Sequence, residues 1–342
     1  MRALLLTEYG KLGIADVPVP SIGDDDVLVR VRACGICGSD VHGYTGESGR
    51  RIPPIVMGHE AAGVVEHVGA AVQDLAPGDR VTFDSTVSCG RCAFCRRGEM
   101  NLCDARMVLG VSCGDYRRHG AFAEFVSVPA RIVYRLPDAL AFEHAALIEA
   151  VSVAVHAVRL RIPAGSDRVA VIGCGMIGLL IIQVLRHEGC RTIVGVDVDE
   201  RRRALALKAG ASQTLDARPN VVAALKELTG GQGADHAYEV VGRSETVQTA
   251  VRAVRKGGTV TLVGNLAPIV DLPLQEVVTR ELTLLGSCAS SGEYPDCIEL
   301  LASGAVDVGP LISVAAPLDE GPVWFDRLHR GDAQLMKVIL RP

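Results

Sequence analysis

The chain has 342 residues, 49% of them apolar, and a formal net charge of −5, enough length and apolar content for two domains with cores of their own. No Lys/Arg run supplies the concentrated positive field that nucleic acid or an anionic membrane surface demands, so neither is an expected partner. No apolar stretch approaches the roughly 18 residues that a bilayer-spanning helix needs.

The opening, Met1-Arg2-Ala3-Leu4-Leu5-Leu6-Thr7-Glu8, reads as a short strand, because its apolar run is too brief for a secretory signal and Glu8 follows at once. Residues 27–32 alternate, 61–69 are β-rich, and Pro77-Gly78-Asp79 turns into a strand at 80–83, so the first half is mostly strands and loops. A helix is expected over 141–158. Beyond it, apolar strands alternate with helices: strand 168–172, helix 177–187, strand 192–196, helix 200–208 ended by Gly210, then strands near 236–241, 259–263 and 282–286. That alternation predicts βαβ units and a parallel sheet. The strand-like tail at 336–340 is too short for a domain and is expected to rejoin the first half.

Val169-Ala170-Val171-Ile172-Gly173-Cys174-Gly175-Met176-Ile177-Gly178 is a buried strand running into G-x-G-x-x-G and a helix. Gly173 permits the tight turn, Gly175 lets a pyrophosphate approach the backbone, and Gly178 lets helix pack on strand. Asp197 follows about 20 residues later, where a carboxylate accepts hydrogen bonds from an adenosine ribose. Arg201, Arg202 and Arg203 would welcome a 2′-phosphate, but Asp197 would repel it, so NAD is expected over NADP.

Eleven cysteines are too many and too odd in number for a simple disulfide framework in so long a chain, which points to a reducing cytoplasm. Cys89, Cys92, Cys95 and Cys103, at intervals of 3, 3 and 8, have zinc-ligand spacing in a polar loop. Four thiolates leave no coordination position open, so this zinc is expected to be structural. A second set, with different chemistry, runs through Cys34-Gly35-Ile36-Cys37-Gly38-Ser39-Asp40-Val41-His42 and Gly58-His59-Glu60, the latter continued by Gly63 and Gly69.

These two segments, with the glycine fingerprint downstream, resemble the zinc-dependent medium-chain dehydrogenase/reductase family over essentially the whole chain. Glu149, in Leu147-Ile148-Glu149-Ala150-Val151-Ser152-Val153, stands where many alcohol dehydrogenases place a second cysteine. In this it is similar to the polyol dehydrogenase branch, which includes sorbitol, galactitol-phosphate and threonine dehydrogenases. The resemblance implies an α/β fold: a GroES-like, β-rich catalytic domain from 1–149 and 288–342, and a Rossmann doubly wound parallel sheet from 150–287. It also implies a catalytic zinc held by Cys37 and His59, with Glu60 close and Glu149 binding directly or through water. Cys34 is assigned to packing and Asp40 to the second ring nitrogen of His59. Ser39 and His42 match a proton relay, and the implied reaction passes hydride from a zinc-polarised secondary alcohol to nicotinamide.

The expected cofactor contacts are Gly173, Gly175, Ile177, Gly178, Asp197 and Arg202, then Val263, Gly264 and Asn265, and Ser287, Cys288 and Ala289. The Arg-Tyr pair that sorbitol dehydrogenases use for the polyol is replaced by Ala289-Ser290, and the Tyr after the relay histidine by Gly43. Another polyol, a sugar or sugar acid, an inositol or a phosphorylated hexitol therefore remains open as substrate. Arg50, Arg51, Arg117 and Arg118 are expected to be solvated rather than to meet an anion. Strand 282–286 is expected to pair across a two-fold axis, giving a homodimer or homotetramer. Two rivals are a zinc-independent reductase and a non-catalytic cofactor-binding protein on the same fold.

Overall fold

A computed structural model describes residues 1–113, 116–218 and 220–342. The chain divides into two compact units, Met1–Glu149 with Ser291–Pro342, and Ala150–Ser290. The second crossing lies at Ser291 rather than at 288. Its cause is local: the Ser291 hydroxyl donates to the Gly98 carbonyl at 2.7 Å and accepts from the Met100 N–H at 2.9 Å.

The first unit is built on a seven-stranded sheet around the long strand Asp26–Gly35. That strand alternates Val27, Val29 and Val31 into the core and pairs antiparallel with Glu60–Val68 and Phe125–Pro129. The tail strand Lys337–Arg341 also pairs with it, Ile339 opposite Gly35 and Leu340 opposite Cys34, which brings Lys337 beside residues of the first half. Phe122 and Phe325 meet edge-to-face in the core with centroids 5.7 Å apart.

The second unit is a six-stranded sheet in the order Gln213–Asp216, Thr192–Asp197, Arg168–Ile172, Ala234–Glu239, Val254–Leu262, Thr283–Gly286, every pair parallel. Its inner strands are buried on both faces, which is why Val169–Ile172 and Ile193–Val196 are apolar nearly without interruption. The strand order reverses beside Arg168–Ile172, whose carboxyl end carries the glycine loop; such a switch point is where open α/β sheets bind their ligands.

The expected 141–158 helix is two helices, Phe142–Ala145 and Ile148–Arg159. The Leu147 N–H bonds back three residues to His144 and closes the first of them. The edge strand Gln213–Asp216 has a single apolar residue, Leu215, and so shows no alternation in the sequence. Among the described residues no helix is long and apolar enough to cross a membrane.

Candidate functional site

The sulfurs of Cys89, Cys92, Cys95 and Cys103 all lie within 4.8 Å of one another. Cys92 Sγ is 3.5 Å and Cys89 Sγ 4.0 Å from Cys95 Sγ, close to the ~3.8 Å edge of a tetrahedron with Zn–S bonds of about 2.3 Å. Backbone N–H groups point at these sulfurs: Cys89 N to Cys103 Sγ at 3.2 Å, Cys92 N to Cys89 Sγ at 3.4 Å and Cys95 N to Cys92 Sγ at 3.5 Å. The N–H groups of Cys95 and Asp104 lower the Cys92 thiol to about 6, while burial pushes Cys103 up to about 11.

The second group is Cys37, His59 and Glu60, whose donor atoms also lie within 4.8 Å of one another. Cys37 caps the short helix Gly38–Tyr44, and its N–H donates to Asp40 Oδ2 at 3.2 Å. His59 follows Gly58, which sits at φ +94°; a Cβ there would also meet the Phe122 nitrogen and Cys34 Sγ at 2.9 Å, so glycine is needed to turn the chain into the site. His59 Nδ1 faces the fully buried Asp40 Oδ1 at 3.3 Å, an ion-pair distance that falls short of hydrogen-bond geometry. The facing pair occupies Nδ1 and leaves Nε2 as the ring's other donor atom. Burial alone would lower the His59 pKa, but Asp40, with Cys37, raises it well above the ordinary imidazole value. Burial opposes ionisation of Asp40 too, yet His59 and Arg51 hold it at about 2. The pocket favours positive charge.

Glu149 is not among the three gathered donors. It is half-buried, yet near enough to feel them: desolvation raises its carboxyl to about 7, His59 opposes, Glu60 adds and Lys337 opposes. Cys34 lies in the apolar core, with its thiol toward its neighbour's carbonyl. Ser39 and His42 share a helix face but turn to different partners, Ser39 Oγ accepting from Arg51 at 3.0 Å and His42 Nδ1 meeting Glu47 at 2.8 Å.

In the second unit the helix Met176–His187 is capped by Gly175, over which an added Cβ would meet nothing within 4 Å. At Gly178 it would lie 1.9 Å from the Gly173 carbonyl oxygen. The loop thus has open space at Gly175, where the fingerprint leads one to expect a pyrophosphate, and none at Gly178, where the helix packs. Asp197 ends its strand buried, Oδ2 accepting from the Cys174 N–H at 2.8 Å and Oδ1 from Asp199 at 2.9 Å. Each oxygen keeps a lone pair for a hydroxyl. Arg202 stands 4.0 Å from Asp197 Oδ2 and is partly exposed, whereas Arg203 turns inward to the Asp197 carbonyl at 2.9 Å. The N–H groups of Val263 and Gly264 are anchored on the Glu239 carbonyl at 2.8 and 3.0 Å, with Asn265 next in the chain, and the Ser287 N–H is anchored on the Leu262 carbonyl at 2.9 Å. Ser287 Oγ is buried with no protein partner among the described residues, Cys288 is exposed, and Ala289 takes a left-handed φ of +50°.

Residues 23–138 match the family model of the alcohol dehydrogenase GroES-like domain, and residues 177–303 that of the zinc-binding dehydrogenases. Sorbitol dehydrogenase of Bacillus subtilis (strain 168) is 34% identical over 349 aligned positions, covering 100% of this chain and 97% of its own. The chain belongs to the zinc-dependent medium-chain dehydrogenase/reductase family. L-idonate 5-dehydrogenase of Vitis vinifera is 37% identical, covering 86% of this chain and 82% of its own. A crystal structure from Sinorhizobium meliloti 1021, described as a zinc-binding dehydrogenase and bound to NADP, superposes with a TM-score of 0.91 at 35% identity, over 100% of this chain and 99% of that one. Within the medium-chain dehydrogenases the chain falls in the polyol branch, and it is a zinc-dependent alcohol dehydrogenase using a nicotinamide dinucleotide.

Both donor sets fit the zinc that medium-chain dehydrogenases of this kind use, one by its near-tetrahedral sulfurs and the other by a half-buried cysteine and a buried histidine with an acid beside them, in a pocket that favours a cation. Two residues near the second set carry no motif. Lys337 Nζ donates to Glu60 at 2.9 and 2.7 Å, and Arg51, expected to be solvated, is only 4% exposed and pairs with Asp40 at 3.1 Å. The tail strand delivers the first. The second has no local signal, because an Arg-Arg pair in a Gly/Pro-rich loop reads as surface. Of the other arginines, Arg117 donates to the carbonyls of Ile52 and Pro54 and Arg118 to Ser127 Oγ; Arg50 stays exposed.

Proposed function

We propose that the enzyme oxidises a secondary alcohol of a polyol, sugar or related hydroxy compound to the ketone, with NAD as hydride acceptor. The observation that carries this reading is the half-buried Cys37 gathered with the buried His59, with Glu60 beside them and Asp40 behind the histidine. Zinc there supplies a Lewis acid that acidifies the substrate hydroxyl, and the nicotinamide supplies the hydride acceptor. Cys37 and His59 hold the metal, with Glu149 completing the set directly or through water. Glu60 is engaged by Lys337 on both oxygens, which makes it a charge beside the metal rather than a ligand. Asp40 keeps His59 in the tautomer that presents Nε2. Ser39 takes the substrate proton, and His42 passes it to solvent. The Cys89, Cys92, Cys95 and Cys103 site is structural. The unit containing it is the catalytic domain, and Ala150–Ser290 is the cofactor domain.

Asp197 favours NAD, because its two oxygens are fixed by backbone N–H groups with lone pairs left for ribose hydroxyls. NADP is a second reading with its own support in the partly exposed Arg202 and in the NADP-bound relative from S. meliloti. The missing Arg-Tyr pair at Ala289-Ser290 argues against sorbitol, and the idonate dehydrogenase relative supports including sugar acids. A panel of polyols, sugars, sugar acids, inositols and phosphorylated hexitols, each with NAD and with NADP, together with elemental analysis, tests the reading. Turnover of at least one secondary alcohol, a higher kcat/KM with NAD, and two zinc ions per chain are expected. No turnover from any alcohol, or one zinc per chain, would overturn it, and a preference for NADP would replace the cofactor assignment.

A homodimer, or a tetramer built from it, is supported by the edge strand Thr283–Gly286, which has no outer neighbour among the described strands. The preceding segment presents Ile269, Leu274 and Val278 to solvent.

A further inference from the structure

Arg51 is nearly buried, yet it belongs to no motif and the reaction as proposed gives it no part. Its Nη2 donates to Ser39 Oγ at 3.0 Å and to Asp40 Oδ1 at 3.1 Å, the carboxylate oxygen that also faces His59 Nδ1 at 3.3 Å. Asp40 Oδ2 meanwhile accepts the Cys37 N–H. One nitrogen of one guanidinium thus touches the hydroxyl expected to move the substrate proton and the carboxylate that braces both Cys37 and His59. The stem reaches this position because residue 43 has no side chain: a Cβ on Gly43 would lie 2.4 Å from Arg51 Cδ and 2.8 Å from Cγ. Its Nε–H is buried without a partner among the described residues, so the group is held by its Nη2 contacts and its packing rather than by solvation.

We infer that Arg51 is a positioning residue of the active site, aligning the Ser39 hydroxyl and clamping Asp40 behind His59; the inference rests on the alcohol dehydrogenase reading above. A serine hydroxyl has one O–H and two acceptor sites. With one acceptor site filled by Arg51, Ser39 is left with one site to take a proton and one O–H to give, which is what a relay requires. A guanidinium does not lose its own proton in a protein, so it fixes the hydroxyl without competing for the proton. On its other side it is the permanent counter-charge of a fully buried carboxylate, and without it Asp40 would be an unpaired charge free to turn away from His59. Nη2 directs its two N–H groups in the fixed plane of the guanidinium, one to each acceptor, whereas lysine supplies the charge beside Asp40 without fixing the Ser39 hydroxyl.

The test uses the full chain with zinc bound, comparing wild type with Arg51→Met, Arg51→Lys, Ser39→Ala and the two double variants. Steady-state kinetics is one arm. The rate at which a chelator strips zinc, followed with a colorimetric zinc indicator, is the other and needs no substrate. Arg51→Met is expected to lower kcat about tenfold with little change in KM, and to cost less in the Ser39→Ala background than in wild type. It should also speed release of one of the two zinc ions. Arg51→Lys should restore slow zinc release while leaving kcat low. Losses that multiply in the double variants, or zinc release that Arg51→Met leaves unchanged, would overturn the inference. If wild type oxidises no alcohol, the alcohol reading fails on its own and zinc release still decides the role of Arg51. Should Arg51→Met fail to fold, Arg51→Lys with and without Ser39→Ala carries the kinetic test.

Discussion

Lys337 Nζ donates to both oxygens of Glu60 and to the Ile36 carbonyl at 3.1 Å, with side chains 5% and 2% exposed. A buried pair of this kind offers little net stability over an apolar pair, but removing one partner strands the other. Lys337→Met is therefore expected to destabilise the catalytic unit by about 3 kcal/mol, and Lys337→Met with Glu60→Gln should recover part of that loss. Denaturant midpoints of the two variants check it, and equal losses would show that Glu60 does not depend on Lys337 for its charge. At this scale the sequence marks Cys37, His59 and Glu60 through the family resemblance of the segments that carry them. It gives no sign of Lys337, 277 positions beyond Glu60, or of Arg51, whose burial depends on a missing side chain at Gly43.

Among the elements, the strand Ala234–Glu239 carries an internal histidine. His236 is 2% exposed, stacks on Tyr238 with centroids 4.3 Å apart and pairs with Thr261 Oγ1 at 2.8 Å. Burial, with Arg161 adding, lowers its pKa to about 4. Between that value and its ordinary one near 6.5 the unfolded chain binds a proton that the folded strand refuses, so stability from the neutral ring is present above about pH 6.5 and lost as pH falls toward 4. The shift corresponds to about 3 kcal/mol. Unfolding free energy measured from pH 7 to 4 should fall by that order in wild type and more shallowly in His236→Gln; parallel profiles would refute the assignment. The βαβ alternation was legible because inner parallel strands are apolar on both faces and their helices have a 3.6-residue period. The strand Gln213–Asp216 was not, since an outer strand with one apolar residue has no period to read.

For the molecule as a whole, the open edge beside Ile269, 86% exposed, and Val278, 64% exposed, bears on assembly. Such an edge with apolar residues next to it is an invitation to pairing unless a partner covers it. Ile269→Asp with Val278→Asp is expected to yield monomers where wild type gives dimers or tetramers by light scattering, with zinc content unchanged; an unaltered mass would place the interface elsewhere. By itself the sequence determined the family and the α/β class, and it marked the glycine loop with its following acid and the two sets of candidate metal-binding residues. The glycine loop and the four-cysteine set are written in local spacing, where chemistry needs given residue types a few positions apart, whereas Cys37, His59 and Glu149 are marked by the family resemblance. Tertiary structure alone decided which charges stand behind those residues. The pairing of the last strand with Asp26–Gly35 brings an ammonium to Glu60, and the space left at Gly43 admits a guanidinium beside Ser39 and Asp40. Burial and counter-charge are properties of the packed chain, set by contacts between segments far apart in sequence, and no local pattern encodes them.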